Sequence, residues 1–359
     1  MLLGAGHAHV EVLRRHARRP LPGVRYTLIA REPHTPYSGM LPGLIRGDYR
    51  FEQAHIDCAR LATAAGARLV LAEADAIDLG ARLVRAGAAG PVGYDLLSID
   101  VGGAPAMPAG GIPVKPIGRF LARLAELETA LPTGARIAVI GGGAGGCELA
   151  LALAHRLAGR ARIALVTRGM ILANAPDGAR RRIRAALADR GVELHCGAAA
   201  IGHADGCLLL ADGTSLPADA ALWATGVVAP DFLADAGLAC DVAGCVLVAA
   251  TLCSVSHTVF AAGDCACLDG NPRPKSGVWA VRAGAILADN LARAATSRAL
   301  REWRPQRRAL VIVGLGDGRA VAWRNGITVA GRLAWWWKDR IDRRWMARYQ
   351  CLDHHSYDS

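Results

Sequence analysis

Gly4-Ala5-Gly6-His7-Ala8-His9 stands close to the start of this chain, and a second glycine-rich stretch, Gly141-Gly142-Gly143-Ala144-Gly145-Gly146, follows 137 residues later. Each stretch comes after a short apolar run and before an Ala/Leu-rich pattern with helical spacing. One such glycine turn is a weak indication, but a strand, a glycine turn and a helix that recur twice predict two dinucleotide-binding units. Two units in one polypeptide can hold two redox cofactors face to face, which points to electron transfer.

The composition indicates an α/β protein with full hydrophobic cores. The chain has 359 residues, of which 52% are hydrophobic and 42 are glycine, enough for two or three domains. No uncharged apolar run approaches about 18 residues, so no membrane-spanning helix is predicted. The amino terminus leads directly into the first predicted strand, which leaves no room for a signal peptide. We therefore expect a cytoplasmic protein with reduced thiols.

The ten cysteines point to neither a disulfide framework nor a metal centre. Only Cys265 and Cys267 form a close pair, and the paired C-x-x-C spacing of zinc sites is absent from the sequence. Most of the cysteines are therefore expected to be small buried hydrophobic residues. Cys265 and Cys267 stay candidates for sulfur or selenium chemistry.

Positive charge and tryptophan concentrate at the carboxy-terminal end. Residues 291–359 carry about +8 of the formal net charge of +11 and six of the eight tryptophans. This composition predicts a separate segment with its own partner. The segment carries no recognised nucleic-acid module, so nucleic acid is not an expected partner.

The first unit is predicted to hold a nucleotide through a strand-end carboxylate. Glu32 follows the strand pattern 26–30, where an acid can accept from both ribose hydroxyls; the alternative is an ordinary surface acid. Residues 35–47 form a Pro/Gly loop whose low polarity suggests packing against a flat, apolar group. Gly102, after the buried strand pattern 94–100, is expected where the backbone approaches a ligand.

The second unit repeats this pattern with a different residue at the ribose position. Arg168 follows the strand pattern 162–166 and suits a 2′-phosphate, which favours NADPH over NADH, although an arginine can also stack on adenine. Gly226 follows a strand in the way that Gly102 does. The two units form a low-resolution internal repeat, one inserted in the other.

A third signal follows the apolar strand 258–262. Gly263 and Asp264 end that strand, and a helical pattern runs from about Ser276 to Ala294. A carboxylate at a strand end can accept from ribityl hydroxyls while helix amides face a diphosphate. The three signals together predict an α/β fold with two Rossmann-like domains and a small C-terminal α+β segment.

With these signals the chain resembles the flavin-dependent pyridine-nucleotide oxidoreductases, and within them the type II NADH dehydrogenase-like branch. The segments Gly-x-Gly-His-Ala-His-Val, His-Thr-Pro-Tyr-Ser-Gly-Met-Leu-Pro-Gly and Lys-Asp-Arg-Ile-Asp-Arg-Arg resemble the subgroup found beside, or fused to, selenide, water dikinase. The resemblance implies an FAD-binding domain at 1–112 and 229–295, an NAD(P)H-binding domain at 113–228, and a dimerisation or membrane-surface segment at 296–359.

The resemblance also implies site residues. Gly4, Gly6 and Glu32 would hold the adenylate half of FAD, Ala74 would touch adenine, Gly102 would approach the flavin, and Gly263 with Asp264 would close over the ribityl chain. Gly141, Gly143, Gly146, Arg168 and Gly226 would receive NADH or NADPH. Glu148 matches an acid beside the nicotinamide, with an ordinary helix N-terminal acid as the alternative.

Three departures from the family pattern bear on the acceptor. His9 replaces the third glycine of the first turn, which brings His7 and His9 near the diphosphate for phosphate contact or packing. The glutamine-rich helix start that faces quinone in type II dehydrogenases is replaced by residues 275–282. Neither the close cysteine pair of the disulfide reductases nor the cysteines of the sulfide:quinone reductases stand at matching positions.

The expected mechanism has two half-reactions. NAD(P)H would deliver hydride to the flavin largely by positioning, and the reduced flavin would pass electrons to an acceptor near Met40, Leu41, Trp279 and Arg282. Lys275 is expected to stabilise the anionic reduced flavin. Quinone is the expected acceptor. The alternatives are reduction of a selenium or sulfur species for selenophosphate synthesis, and an NAD(P)H-sensing flavoprotein that acts through partner binding.

The segment 333–349 allows two interpretations. Trp337, Ile341 and Trp345 recur at i, i+4 spacing among basic residues, so a helix could lie on an anionic membrane at the inner face of the cell membrane. Alternatively, the tryptophan face packs on the FAD domain and the arginines are solvated, because Asp339 and Asp342 weaken the basic face. A homodimer contact is a further alternative.

Overall fold

The computed structural model describes residues 1–306 and 308–351. Arg307 and residues 352–359 of the predicted C-terminal segment therefore lie outside the described residues. Within the described part of the chain, no helix is both long and apolar enough to cross a membrane.

The first 113 residues supply four strands of one parallel sheet (β1, β2, β5 and β9), seven strands that belong to other sheets, and four helices. The strands are β1 (Leu2–Leu3), β2 (Thr27–Ala30), β3 (His34–Pro36), β4 (His55–Asp57), β5 (Arg68–Leu71), β6 (Ala76–Asp78), β7 (Leu83–Arg85), β8 (Pro91–Gly93), β9 (Leu97–Ile99), β10 (Ala104–Pro105) and β11 (Ile112–Pro113). The helices are α1 (His7–Arg18), α2 (Leu41–Arg46), α3 (Phe51–Ala54) and α4 (Cys58–Ala64), with 3-10 turns η1 (Ser38–Met40) and η2 (Gly87–Ala89).

The middle of the chain builds a second parallel sheet. Its elements are α5 (Ile117–Ala130), β12 (Ala135–Ile140), α6 (Ala144–Arg156), β13 (Ala161–Thr167), α7 (Asp177–Asp189), β14 (Glu193–Cys196), β15 (Ala200–Ala204), β16 (Cys207–Leu210), β17 (Ser215–Pro217), β18 (Ala220–Trp223) and β19 (Val227–Val228). The strand order is β11-β18-β12-β13-β14, and all of these pairings are parallel. Helices cover such sheets on both faces, so β12 and β18 are almost continuously apolar and buried.

The last third of the chain returns to the first sheet and then adds a small antiparallel sheet. Its elements are α8 (Phe232–Asp235), β20 (Val246–Val248), β21 (Val259–Ala261), η3 (Gly263–Cys265), β22 (Ala266–Leu268), α9 (Gly277–Ala295), β23 (Val311–Gly314), β24 (Ala320–Arg324), β25 (Ile327–Gly331) and α10 (Arg332–Gln350). The first sheet therefore has the order β21-β9-β1-β2-β5, with every pairing parallel. The first sheet thus contains strands that come before the second sheet in the chain and one that comes after it, as expected if the second unit is inserted in the first.

Close helix contact depends on a glycine. A Cβ on Gly284 of α9 would lie 2.8 Å from the Cβ of Glu11 and 3.2 Å from the Cα of Ala8, both in α1. The two helices can therefore approach closely across the face of the first sheet.

The segment 35–47, which the sequence predicts as a loop, is largely ordered as regular structure. It contains the end of β3, then η1 and α2. Pro42 stands in the first turn of α2, where proline is tolerated, and Gly47 ends the helix with a φ of 91°. Leu41 and Ile45 are buried in the core of the second unit rather than open to an acceptor, and Met40 is buried in the first core. The loop prediction missed these helix signals.

The tryptophan stripe of α10 does not share one environment. Trp345 is 6% exposed and its ring stacks on Tyr37 with 4.2 Å between centroids, whereas Trp337 is 43% and Ile341 40% exposed. The amino-terminal half of α10 lies along the small sheet, where Ala334 is buried, and its carboxy-terminal half lies on the first unit. The packing of the tryptophan face on the first unit is therefore observed for Trp345, while Trp337 and Ile341 are exposed and their predicted membrane contact stays a prediction.

Candidate functional site

A long groove follows the carboxyl edge of the first sheet. Many of its lining residues follow β21, β9, β1, β2 and β5, which lie side by side in that order, and the others come from 115–119, 228–232 and the start of α9. Four strand spacings of about 4.8 Å make this edge about 19 Å long. The groove has a volume of about 710 Å³. Its shape suits an extended dinucleotide.

Most of the predicted FAD residues line this groove. Those that the fold brings together there are Gly4, Gly6, His7, Glu32, Ala74, Gly102, Gly263 and Asp264. These residues follow five different strands. They lie together because the sheet places those five strands side by side.

Three glycines of the groove lie close to one aspartate, Gly4 to its backbone and Gly6 and Gly263 to its carboxylate. A Cβ on Gly4 would lie 2.4 Å from the carbonyl oxygen of Asp100, and a Cβ on Gly6 would lie 2.1 Å from its Cγ. A Cβ on Gly263 would lie 2.2 Å from Asp100 Oδ1. Gly4 and Gly263 also have φ angles of 92° and 73°, which side chains rarely adopt. Glycine is therefore required here both by space and by backbone conformation.

His9 lies inside the protein and does not line the groove. Its Nδ1 is 2.6 Å from the carbonyl oxygen of Gly4 and its Nε2 is 2.8 Å from Ser98 Oγ. Burial lowers the pKa of His9 to about 3, so the ring is neutral. Nδ1–H then donates to Gly4, and Nε2 accepts from the Ser98 hydroxyl. Phosphate contact and packing were the two predicted roles of His9, and the structure shows its side chain packed in the interior.

His7 lines the groove but carries no positive charge for a phosphate. Burial lowers its pKa to about 4, against the opposing effect of Asp264. Its ring packs edge-on against Tyr37 and Trp345, with centroids 5.4 and 5.3 Å away. Its Nε2 is buried and has no hydrogen-bond partner among residues 1–306 and 308–351. A bound cofactor that can donate to this nitrogen would satisfy it.

Sequence reasoning missed a segment that crosses the groove between the two units. Lys115 lines the groove, and its Nζ lies 2.5 Å from Asp264 Oδ2. A Cβ on Gly118 would lie 2.0 Å from Glu32 Oε2, and Arg119 pairs with Glu73 at 2.5 Å. Residues 115–119 therefore reach both ends of the predicted cofactor site. Nothing in the local sequence pattern marks them, because they form the start of α5 and the two residues before it rather than a glycine turn.

Asp100 was also missed, although a signal was present. It directly follows the buried strand β9, and a carboxylate just after a buried strand was the reason for selecting Asp264, which lies in η3 after β21. Asp100 is 3% exposed. The same rule, applied to β9, would have selected it.

The second glycine turn forms a matching edge on the second sheet. A Cβ on Gly141, whose φ is 133°, would lie 2.4 Å from the carbonyl oxygen of Ala224, and a Cβ on Gly146 would lie 1.9 Å from the Gly141 carbonyl oxygen. Gly143 is the residue before α6, and its own Cβ would meet no atom within 4 Å. The hydroxyl of Thr225 is buried with no partner among the described residues. A dinucleotide at the start of α6 fits this arrangement.

Two further predicted residues of the second site are exposed. Arg168 directly follows β13, and Gly226 follows β18. Both belong to the carboxyl edge of the second sheet, next to the glycine turn. This edge therefore offers an exposed cation at the position where the sequence predicts contact with the ribose.

Lys275 and Trp279 lie beside the main groove in a smaller cavity of about 40 Å³. Lys275 Nζ donates to the carbonyl oxygen of Ala266 at 2.6 Å. Trp279 is buried, and the guanidinium of Arg273 lies 5.6 Å from its ring centroid. The predicted role of Lys275 requires an amine in the groove, and the amine there belongs to Lys115.

Glu148 is half-buried beneath the C-terminal segment. Its Oε1 accepts from the amide of Gly314 at 2.7 Å. Burial raises its pKa, and the ammonium of Lys338 opposes that shift. Lys338 Nζ donates to Asp342 Oδ2 at 2.8 Å and to the carbonyl oxygen of Gly39 at 2.6 Å. Glu148 therefore belongs to a buried charge cluster that joins both units to α10.

The close cysteine pair does not act as one unit. Cys265 Sγ lies 3.3 Å from the carbonyl oxygen of Ala262, and burial raises the pKa of its thiol. Cys267 is half-buried, and burial with nearby Asp241 raises its pKa as well. Neither thiol has the lowered pKa of a reactive cysteine. Within the described chain, no group of three or more His, Cys, Asp or Glu side chains could hold a metal ion.

Comparison with known proteins places these features in a family. The chain is 33% identical over 147 residues to the demethylphylloquinone reductase NdbB of Synechocystis sp., which is 40% of this chain and 36% of that protein. The chain thus spans about a third of the length of that curated relative.

Solved structures share the fold over almost the whole chain. A sulfide:quinone oxidoreductase from Aquifex aeolicus superimposes with a TM-score of 0.78 at 18% identity, covering 98% of this chain and 91% of that one. A NAD-dependent persulfide reductase from A. fulgidus superimposes with a TM-score of 0.74 at 19% identity, covering 89% of this chain and 63% of that one. These similarities support the predicted fold class of two Rossmann-like units.

The family model of the pyridine nucleotide-disulphide oxidoreductases matches residues 1–284. This match confirms the predicted class of enzyme, an oxidoreductase of the kind that uses FAD and NAD(P)H. The glycine turn of each sheet and the groove of the first sheet are the structural basis of that membership. The chain belongs to the pyridine nucleotide-disulphide oxidoreductase family.

Proposed function

We propose that this protein transfers electrons from NAD(P)H through bound FAD to a quinone, with the balance NAD(P)H + H⁺ + quinone → NAD(P)⁺ + quinol. The observation that carries the proposal is one chain with two glycine-lined sheet edges, joined by the segment 115–119. The quinone is favoured because the relative that is 33% identical is a quinone reductase by name.

The residues of the groove would bind and orient FAD, which when bound supplies a hydride acceptor that can return electrons one or two at a time. Glu32 would accept from the ribose hydroxyls and Asp264 from the ribityl chain. Lys115 would bring a positive charge to an otherwise acid-rich groove. These residues position the cofactor, and hydride transfer requires little beyond such positioning.

The second sheet edge would bind NAD(P)H. The turn from Gly141 to Gly146 would receive the diphosphate at the start of α6, and Arg168 would lie at the adenosine ribose, where its charge favours a 2′-phosphate. The half-buried carboxyl of Glu148, which accepts from the amide of Gly314, would help to exclude water near this edge.

An exposed apolar surface supports a lipid-soluble acceptor. It consists of β25 and the first half of α10, where the exposed side chains are Ile327, Val329, Leu333, Trp336, Trp337 and Ile341. Exposed arginines accompany them, and Arg340 lies 5.6 Å from the ring centroid of Trp336. Apolar and basic side chains together suit an anionic membrane surface, so we propose peripheral attachment at the inner face of the cell membrane.

The function is tested by rapid-mixing absorbance of the visible flavin band. The purified protein is reduced with NADH or NADPH and then mixed with a water-soluble quinone. We expect bleaching followed by rapid return of colour, and slower reduction in the Arg168→Ala variant with NADPH only. A purified protein without bound flavin that also fails to take up added FAD would contradict the proposal.

The same experiment separates the other candidate functions. Return of colour with polysulfide or selenite but not with quinone would favour the sulfur or selenium reductase, and with it a functional link to selenide, water dikinase. Slow return with every small acceptor would favour an NAD(P)H sensor that acts through a partner. Equal rates in the Cys265→Ser/Cys267→Ser variant would argue that these thiols take no part.

Membrane attachment is tested by co-sedimentation with vesicles. We expect binding to vesicles rich in anionic lipid, weaker binding to zwitterionic vesicles, and loss of binding in Trp336→Gln/Trp337→Gln. The matched control is Trp303→Gln, outside this surface. Vesicle binding that the double variant retains would contradict the assignment, and a concentration-dependent mass in solution that the double variant abolishes would make the surface a homodimer contact.

A further inference from the structure

Asp100 occupies the start of α1, inside the groove that the proposed function assigns to FAD. Its Oδ2 accepts from the amide of Ala8 at 2.8 Å and from the amide of His9 at 3.3 Å. Its Oδ1 takes part in no hydrogen bond within residues 1–306 and 308–351, and Asp100 lines the groove. The free oxygen lies close to Gly263, whose Cβ would be 2.2 Å away.

This position is unusual for an acid because the start of a helix after a glycine turn is where a dinucleotide diphosphate binds. The amides of Ala8 and His9, which would face an anionic ligand at such a helix start, donate instead to the side chain of Asp100. An ionised Asp100 would add a like charge beside the diphosphate. A protonated Asp100 could keep Oδ2 as the acceptor for the two amides and donate from Oδ1 into the groove.

The surroundings favour the protonated form. Burial raises the pKa of Asp100 to about 7; the amides of Ala8 and His9 oppose this shift, and Asp264 of η3 adds to it. The other groups nearby do not supply a compensating charge. His7 and His9 of α1 are neutral, the thiol of Cys265 is neutral, and Lys115 is paired with Asp264.

We propose that Asp100 is a positioning residue for the cofactor diphosphate, that it binds in the protonated form with Oδ1–H donating to a diphosphate oxygen, and that FAD binding is therefore coupled to the uptake of one proton. The inference rests on the proposed function, because it requires FAD in this groove. It extends that function by making cofactor affinity depend on pH through one named residue.

The sign of the dependence follows from linkage. A nearby anion raises the pKa of a carboxyl, so Asp100 has a higher pKa in the FAD complex than in the free protein. The complex then binds more protons than the free protein above about pH 7. Affinity is constant below that pH and falls by up to tenfold for each pH unit above it. FAD itself has no group that titrates in this range.

The test is the dissociation constant of FAD, measured from pH 6 to about 9 by quenching of flavin fluorescence on the flavin-depleted protein. For the wild type we expect the break near pH 7. Asp100→Asn should bind with the low-pH affinity of the wild type at every pH. The matched control, Asp75→Asn, changes an acid at the rim that pairs with Arg85, and it should keep the wild-type dependence.

A second measurement keeps the test independent of the variant. Calorimetric titration of the wild type with FAD at about pH 8, in two buffers of different ionisation enthalpy, should show net proton uptake. FAD binding with a pH-independent constant and no proton uptake would overturn the inference and leave the proposed function standing. Failure of FAD to bind at any pH would overturn both.

Discussion

His9 stands at the position where the third glycine of a dinucleotide-binding turn is usual. The third glycine of such a turn normally allows the helix to approach the strand closely. Here the imidazole occupies that space and forms hydrogen bonds with the Gly4 carbonyl and the Ser98 hydroxyl, so the larger side chain packs without a clash. The sequence showed the substitution, but only the structure shows how it is accommodated.

We predict that His9→Gly, which restores the usual motif, destabilises this protein. The variant leaves the Ser98 hydroxyl and the Gly4 carbonyl without their partner and opens a cavity, at a cost of about 2–4 kcal/mol in the free energy of unfolding. Chemical denaturation measures it. Ser98→Ala, which removes one of the two bonds, should cost about 1 kcal/mol. Equal stability of His9→Gly and the wild type would contradict this account of the residue.

Lys115 is predicted to contribute to cofactor affinity through its charge. Because acids outnumber bases along the groove, Lys115→Gln should raise the dissociation constant of FAD about tenfold. Lys115→Arg keeps the charge and should recover most of the affinity. Lys275→Gln is the control, since its amine lies outside the groove. A larger effect of Lys275→Gln than of Lys115→Gln, measured by flavin fluorescence, would restore the role that the sequence suggested for Lys275.

Arg168 is predicted to select between the two nicotinamide dinucleotides. If it binds the 2′-phosphate, Arg168→Ala should raise the KM for NADPH about tenfold and leave that for NADH nearly unchanged. If it stacks on adenine, both values should rise together. Steady-state kinetics with each dinucleotide distinguishes these outcomes, with Arg162→Ala, at an exposed position earlier in β13, as the control.

The helix α10 joins separate parts of the molecule through polar contacts. Tyr49 donates to Asp339 at 2.7 Å, and Tyr349 donates to Glu11 at 3.0 Å. Lys338 is buried between Asp342 and the Gly39 carbonyl. These bonds fix one face of the helix on the first unit, from Lys338 to Tyr349. The exposed side chains of Trp336, Trp337 and Ile341 take part in none of them.

Substitutions at Lys338 and Asp342 test how much the buried ion pair of α10 stabilises the protein. Lys338→Met removes the partner of a buried carboxylate and should lower the free energy of unfolding by about 3–5 kcal/mol. Lys338→Met/Asp342→Leu removes both charges and should recover much of that loss. Chemical denaturation of the wild type, both single variants and the double variant measures the coupling. Additive losses in the double variant would show that the pair is not coupled.

The whole molecule is held together by a segment that the family model does not cover. Val313 and Val321 of the C-terminal sheet are buried in the core of the second unit, while Trp345 and Tyr349 are buried in the core of the first. The groove is likewise lined from three stretches of chain, 3–119, 228–232 and 263–280. Cofactor binding should therefore stabilise the molecule as a unit.

We predict that FAD raises the stability of the whole chain. At a free concentration about 100 times the dissociation constant, the free energy of unfolding should rise by about 2.7 kcal/mol. The unfolding transition, followed by tryptophan fluorescence and by circular dichroism, should shift to higher denaturant with both probes together. A shift seen by one probe only would indicate that the units unfold independently.

The sequence predicted the α/β class and its two Rossmann-like units because those features are local. A strand, a glycine turn and a helix are adjacent in the chain, and each turn needs glycines whose absent Cβ is a property of the residue itself. The same reasoning selected Glu32 and Asp264, because each closely follows a predicted strand, and both line the groove. It missed α2, where the helix signals Pro42 and Gly47 lie within a Pro/Gly-rich stretch.

Residue identity by itself predicted a glycine turn at the edge of each sheet, and the tertiary structure decided which side chains line those edges. The sequence pattern pointed to Lys275 and not to Lys115, yet of the two it is Lys115 that reaches the groove, because the crossing segment between the units lies over the sheet edge. Asp100 gained its significance from Gly4, Gly6 and Gly263, which are distant in the chain. Such contacts depend on how separate strands are ordered in the sheet, and local sequence carries no record of that order.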